Sequence, residues 1–490
     1  MNYSSFGKNA FLYAIGTMGI RTASFLLIPI YTYSMSLSDY GLFSVLLQTA
    51  QILVIVVNMG SRTALVRFAK EYEDKNEIGV LLGTTVFINF AGALGVTVIS
   101  ALLLLPLFRG VLHTENVARY VLLTCAAASF NCLAFHLMAY YRAGQKGLKV
   151  TIASLGGAFS LILVTTIFLR VLHMGIEGAL LAQTIIYAAL AAVFLRGISS
   201  QTKLSVSLPL TWSLMRFGLP LIFVMGGGLI TQASAFYFLS YFRGLDQVGI
   251  YSLGLKMAQI VEMVLILPFE MAYEPFVYGH IGDPQLWNAI SRLLTYIIIA
   301  FAFTACGIVF VARDVLPVIA PPAFSPAYLV IFVVLPALAF RAVYYIGESL
   351  LFLEKRTDLA GSVVIAFTVL SLALNYLFIW RWGMYGAAAV FVLTTVCTGA
   401  TVMKLGLRMS PVRIESDRLA VGALLLCGLL AMVCALRGAS ALVYYSAVPA
   451  AVCAAMILLY ASRFIKEDEK RVIETFIQRV PRFRSVLDVW

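Results

Sequence analysis

Gly41-Leu42-Phe43-Ser44, with Leu47 and Ala50-Gln51-Ile52 after it, returns 208 residues later as Gly249-Ile250-Tyr251-Ser252, Leu255 and Ala258-Gln259-Ile260. A second pair, Gly175-x-x-Gly178-Ala179 and Gly383-x-x-Gly386-Ala387, repeats at the same offset of 208. Chance coincidence is the competing explanation in a chain rich in leucine and alanine. One offset at two distant places, with glycine and glutamine positions included, favours two similar halves with almost no net insertion between them. Many membrane transporters place their substrate site between such repeats, near the bilayer midplane.

The chain is 61% hydrophobic and only 12% charged, against about 25% charged in soluble domains. That composition belongs to an integral membrane protein. About fourteen apolar runs reach the ~20 residues a helix needs to cross the hydrocarbon, from 9–33 to 440–463. A β-barrel would show short alternating segments instead. The first run is of full span length with no small-residue cleavage site behind it, so it is expected to remain as a span. The expected fold is an all-α integral membrane protein of about fourteen transmembrane helices. It divides into a six-helix lobe (1–205), a second six-helix lobe (206–410), two additional helices (411–464) and a tail (465–490).

An even number of spans separates matching elements, so the halves share one orientation. Their pseudo-axis is expected along the membrane normal. One set of loops carries about 17 lysines and arginines against about 7 in the other, which places the richer set and both termini in the cytoplasm. The net charge of +12 is thus mostly a topology signal, and no basic soluble domain exists to bind nucleic acid. After Phe464, Val472, Ile473, Phe476, Ile477 and Val480 recur at helical spacing among arginines, which predicts an amphipathic helix on the inner membrane surface. Pro29, Pro220, Pro268, Pro317 and Pro336 are positioned to kink spans.

Few ionisable residues fall inside spans. Arg21 lies about 18 Å along the first helix axis, and Lys256 about nine residues into the eighth span. A lone cation near the midplane costs at least about 2.5–3.5 kcal/mol, so each needs a wet cavity or a partner. Two readings stand: a cationic cavity between the halves with one residue from each, or local neutralisation by backbone carbonyls or a structural carboxylate. Glu262 and Arg341 share a depth on descending helices and are expected to pair. Glu348, seven residues after Arg341 and nearly on its face, extends that network. Either carboxylate is also a candidate to carry a coupling proton.

No carboxylate lies deep within the first six spans. Their polar groups are Arg21, Gln48, Gln51, Asn58, Asn89, Asn131, His136 and Gln183. An exporter of organic cations would want buried acids there, whereas a cation with amides suits an anionic, sugar-bearing ligand. The candidate binding set is Arg21, Lys256, Gln48, Gln51 and Gln259. Arg62 and Arg67 join it at the cytoplasmic end of the second span, to receive an anionic head group or to snorkel to lipid phosphate. His136, a single histidine near a helix end, is expected to be structural. No GxxxxGK[ST] is present, no Cys/His cluster has metal spacing, and the external loops are short. No cofactor is expected, and the chain is not read as an enzyme.

Ser38-Asp39-Tyr40-Gly41-Leu42-Phe43, Tyr140-Tyr141-Arg142-Ala143-Gly144-Gln145-Lys146, and the second-half stretches Gly249-Ile250-Tyr251-Ser252, Leu374-Asn375-Tyr376-Leu377-Phe378-Ile379 and Gly383-Met384-Tyr385-Gly386-Ala387-Ala388 resemble the polysaccharide-exporter (Wzx-type) flippases. These belong to the multidrug/oligosaccharidyl-lipid/polysaccharide exporter superfamily, and the resemblance covers residues 6–464. It implies two lobes facing each other in a V plus two extra helices. The implied setting is the bacterial inner membrane. The implied cargo is an undecaprenyl-pyrophosphate-linked oligosaccharide of O-antigen, capsule or exopolysaccharide synthesis, with membrane lipids and a polymerase or glycosyltransferases as partners. Relatives that flip peptidoglycan precursor use arginines in a central cavity, and Arg21 and Lys256 fall on comparable helices. A cation or drug antiporter is the rival with the same architecture. A membrane-embedded glycan enzyme is the other, disfavoured by the short loops.

Overall fold

The computed structural model describes residues 3–106, 116–438, 440–461 and 464; side chains are not described for 3–15, 217, 219–225, 437 and 441. The expected amphipathic tail lies outside the described residues. No strand occurs among them. The helices are α1 (Tyr3–Ser34), α2 (Leu37–Asn58), α3 (Ser61–Asp74), α4 (Ile78–Ile99), α5 (Val117–Ala143), α6 (Gly147–Thr166), α7 (Gly175–Ser199) and α8 (Leu208–Arg243). They continue as α9 (Leu245–Ala258), α10 (Leu267–Gly279), α11 (Leu286–Ile319), α12 (Ala327–Val334), α13 (Ala339–Leu353), α14 (Thr357–Trp382), α15 (Met384–Met409), α16 (Ser416–Ala435) and α17 (Ala441–Ala461).

Twelve stretches among the described residues are long and apolar enough to cross a membrane. Outside that set, α1 and α8 run for 32 and 36 residues, which agrees with about fourteen spans. The boundaries moved where local chemistry intervenes. Ser36 starts α2 four residues earlier than expected: its hydroxyl accepts from the Asp39 amide at 3.0 Å and donates to the Asp39 carboxylate at 2.7 Å. That is capping by a residue pair three apart. Met59 and Gly60 then turn left-handed (φ 44° and 72°), so α2 ends and α3 begins afresh. Asn58 Oδ1 accepts from the Arg62 amide at 3.0 Å and from the Ser61 hydroxyl at 3.1 Å. Arg62 and Arg67 therefore sit on a separate, partly exposed helix beyond this break.

Prolines act unequally. Pro336 sits in a tight 3-10 turn, Leu335–Leu338, between α12 and α13. Pro29 and Pro317 are carried inside α1 and α11. Pro268 follows a π-helical turn at Glu262–Ile266. A proline donates no amide and its ring crowds the carbonyl four residues back, so the preceding turn loosens to wider spacing. The side chain of Pro220 is outside the described set.

The chain divides into two compact units: Met1–Pro268 with Asp314–Ser410, and the described parts of Phe269–Arg313 with Pro411–Trp490. In the second, the Ser291 hydroxyl donates to the Arg413 carbonyl at 2.7 Å, Tyr444 donates to the Phe310 carbonyl at 3.1 Å, and Arg313 stacks on the Tyr444 ring at 4.4 Å. In the first unit the repeat meets itself. α2 and α9 cross so that the Ser252 hydroxyl bonds Ser44, its counterpart 208 residues earlier, at 2.8 Å. A methyl group on Gly41 would strike the Leu245 carbonyl, and one on Gly249 would strike the Leu37 carbonyl. Leu37 and Leu245 are again 208 apart, so the contact is reciprocal, as a two-fold interface requires. Only glycine lets the backbones approach this closely. The second motif pair has a different cause: Gly175 and Gly383 both hold positive φ (55° and 58°) at the turns leading into α7 and α15, a conformation open to glycine.

Candidate functional site

Five helices of the first half, α1, α2, α5, α6 and α7, and the α9 region of the second surround a cavity of about 580 Å³. α1 contributes Arg21, Ser24, Phe25, Ile28 and Tyr31, spaced to share one helix face. α2 contributes Leu47, Ala50, Gln51 and Val54 on the same three-and-four spacing. The second half answers with Lys256, Gln259, Ile260 and Met263. Here the helix is irregular: α9 ends at Ala258, Gln259 forms a turn, and the π-helical turn holds Glu262 toward the same space. Irregular backbone at membrane depth is tolerated where it lines a cavity.

Arg21, Lys256, Gln51 and Gln259 are thus brought together as expected. Gln48 is not: it is buried, with its carbonyl oxygen unpartnered among the described residues. One residue turns a helix by about 100°, and Gln48 falls one position past the lining residue Leu47. Its repeat counterpart, Lys256, does line the cavity, because α9 presents a face rotated by one residue relative to α2. Arg62 and Arg67 do not line the cavity either; Arg67 is exposed, 5.6 Å from the Phe68 ring.

Lys256 is anchored across the pseudo-axis. Its ammonium donates to the Tyr40 hydroxyl at 3.3 Å and lies 5.0 Å from the centre of that ring. Tyr40 is fully buried and packs edge-on against Phe324 at 5.5 Å. A cation over an aromatic face is stabilised without losing its charge, so no carboxylate is needed. Glu262 is the only carboxylate among the described lining residues, and it pairs with Arg341 of α13, Nε to Oε1 at 3.3 Å. The Glu262 side chain is 18% exposed and that of Arg341 57%. Glu348 accepts the Tyr344 hydroxyl at 2.8 Å. With Glu262 neutralised, the field in the cavity is set by Arg21 and Lys256.

The pair makes a prediction. Arg341→Ala leaves Glu262 without its partner, and the melting temperature of the purified protein is expected to fall. Glu262→Gln in that background is expected to recover most of the loss, with a coupling of about 1 kcal/mol, in the range for contacting side chains. A double variant no more stable than Arg341→Ala would show that the pair does not hold the helices.

Asn131 of α5, Gln183 and Tyr187 of α7, and Tyr31 complete the wall. None was assigned to the site from sequence, although Asn131 and Gln183 stand out as amides in apolar spans and Gln183 and Tyr187 are one turn apart. His136 is buried in α5 away from this cavity, with neither ring nitrogen bonded among the described residues.

Residues 6–277, more than half of the chain, match the sequence model of the family described as polysaccharide biosynthesis protein. The chain belongs to that family. No curated protein matches this family member closely enough to be counted as a relative. Among solved structures, lipid II flippase MurJ in an inward closed conformation aligns with a TM-score of 0.72 at 12% identity, covering 93% of this chain and 100% of that one. An inward-facing multidrug resistance MATE family transporter of the MOP superfamily aligns at 0.62 and 16% identity, covering 82% and 95%. A Vibrio cholerae MATE transporter, VcmN, aligns at 0.55 and 15% identity, covering 84% and 98%. At these identities the likeness is one of fold. It bears out the expected fold class, an all-α multi-pass membrane protein.

Proposed function

We propose that this protein carries a polyprenyl-pyrophosphate-linked oligosaccharide from the cytoplasmic to the outer leaflet of the bacterial inner membrane, with both termini in the cytoplasm. The observation that carries this reading is the cavity itself. It holds two cations, Arg21 and Lys256, from opposite halves, with the amides Gln51 and Gln259 in the same lining and its one described carboxylate already paired. Such a site attracts a phosphate group and repels an organic cation. Family membership supports a saccharide as the rest of the cargo.

In this reading the pyrophosphate meets Arg21 and Lys256 while the polyprenyl chain stays in lipid. The lobes then exchange inward and outward openings. No bond is made or broken, so the protein acts as a transporter and not as an enzyme. It hands its cargo to a polymerase or glycosyltransferase on the outer face. The test is mass spectrometry of undecaprenyl-linked oligosaccharides in cells lacking this protein. Full-length lipid-linked repeat units are expected to accumulate several-fold and to clear on complementation. An unchanged lipid pool, with altered drug sensitivity, would replace this reading with the antiporter.

A further inference from the structure

The two halves do not contribute equally to the cavity. The second half brings charge, Lys256 and Glu262, at positions whose copies 208 residues earlier are Gln48 and Val54. Besides Arg21, the polar lining groups of the first half are all neutral: Ser24, Tyr31, Gln51, Asn131, Gln183 and Tyr187. At the same offset, Tyr31 and Gln183 correspond to Leu239 and Phe391, so this polar wall has no copy in the second half.

The wall is also ordered. Tyr31, Asn131, Gln183 and Tyr187 all line this one cavity. Gln183 and Tyr187, four apart on α7, share one face. Phe135 packs on the Tyr187 ring at 6.2 Å. Each amide offers a donor and an acceptor, and each phenol can serve as either. That combination matches a hydroxyl-rich surface, which both donates and accepts, whereas a bare phosphate only accepts and can use the donors alone.

We infer that the cavity is chemically divided: Arg21 and Lys256 hold the pyrophosphate, and the wall of Asn131, Gln183, Tyr31 and Tyr187 holds an uncharged sugar and selects which glycan is carried. This rests on the function proposed above. A site built to hydrogen-bond hydroxyls rejects a ligand lacking them far more strongly than an apolar pocket rejects an added group. The first-half wall is therefore the specificity element, and the cations are indifferent to the glycan.

The test uses full-length protein in lipid nanodiscs and two probes: bare undecaprenyl pyrophosphate, and lipid-linked oligosaccharide extracted from the cells that make this protein. The wild type is expected to bind the sugar-bearing lipid at least tenfold more tightly. Asn131→Leu and Gln183→Met, near in size to the native residues, are each expected to weaken that probe by about tenfold, the scale of one or two lost hydrogen bonds. Bare undecaprenyl pyrophosphate should bind unchanged and melting temperatures should stay near wild type. Arg21→Ala should weaken both probes. Variants that bind the sugar-bearing lipid like wild type, or lose both probes equally, would overturn the division. Equal wild-type binding of the two probes would overturn it while leaving the transport function standing. Failure of the wild type to bind either probe would overturn the proposed function, and this inference with it.

Discussion

Arg21→Ala is expected to leave cells with the lipid-linked oligosaccharide pool of a strain that lacks the protein altogether, although the variant folds and reaches the membrane. Arg21 lines the cavity from α1 and opens onto it, and no ion pair to it is seen among the described side chains. Removing it therefore breaks no ion pair among the described residues, and alanine strengthens the helix. What is lost is an anchor for the cargo. A hydrogen bond to a charged group is worth about 1.5–3 kcal/mol, or roughly one to two orders of magnitude in affinity. In a low-dielectric cavity the loss should lie at the upper end. Lys256→Ala should act in the same direction and also release Tyr40 from its cation contact. Arg21→Lys should recover part of the activity, since a point charge remains without the planar fork that grips two phosphate oxygens. Normal clearance of the lipid pool by Arg21→Ala, at matched protein levels, would remove the cationic cavity from the mechanism.

A disulfide across the repeat axis should stop transport reversibly. The Ser44 and Ser252 hydroxyls already meet at 2.8 Å, and the glycine contacts one turn away bring α2 and α9 together. Cysteines at both positions are well placed for an S–S bond, which needs ~2.05 Å between sulfurs and Cα atoms within about 7 Å. If the lobes exchange openings, this crossing must separate in each cycle. Export by Ser44→Cys/Ser252→Cys is therefore expected to fall more than tenfold under oxidant and to return with reductant. Cys427, Cys434 and Cys453 are exposed and should first be changed to serine, so that only the new pair responds. Undiminished export by fully cross-linked protein would show that the halves do not part here.

Much of this was readable along the chain. The 208-residue offset announced the duplication, and the structure turns it into a contact, with Ser44 against Ser252 and the two glycines against each other's helices. Relative level along the helices was also legible. Counting residues from span ends brought Glu262 and Arg341 to one level, and they pair. Arg21 and Lys256, placed near the midplane, face a common space.

Rotation about a helix axis was less accessible. Gln48 and Gln51 look alike in sequence, yet only Gln51 lines the cavity, because the two lie about 60° apart on a helix of 3.6 residues per turn and the lining face of α2 ends between them. Arg62 and Arg67 read as the end of a span, but the left-handed Met59 and Gly60 start a new helix before them. Tyr40, buried and far from any expected site, holds Lys256 from the other half. Asn131, Gln183, Tyr31 and Tyr187 come from three helices and form one wall only after those helices pack.

Sequence by itself determined the membrane class, the 208-residue repeat and the family, since hydropathy and repetition run along the chain and need no partner. Tertiary structure decided which side of each helix faces the cavity, which charges are neutralised and which half carries the polar wall. Those outcomes depend on neighbours that one-dimensional spacing does not specify.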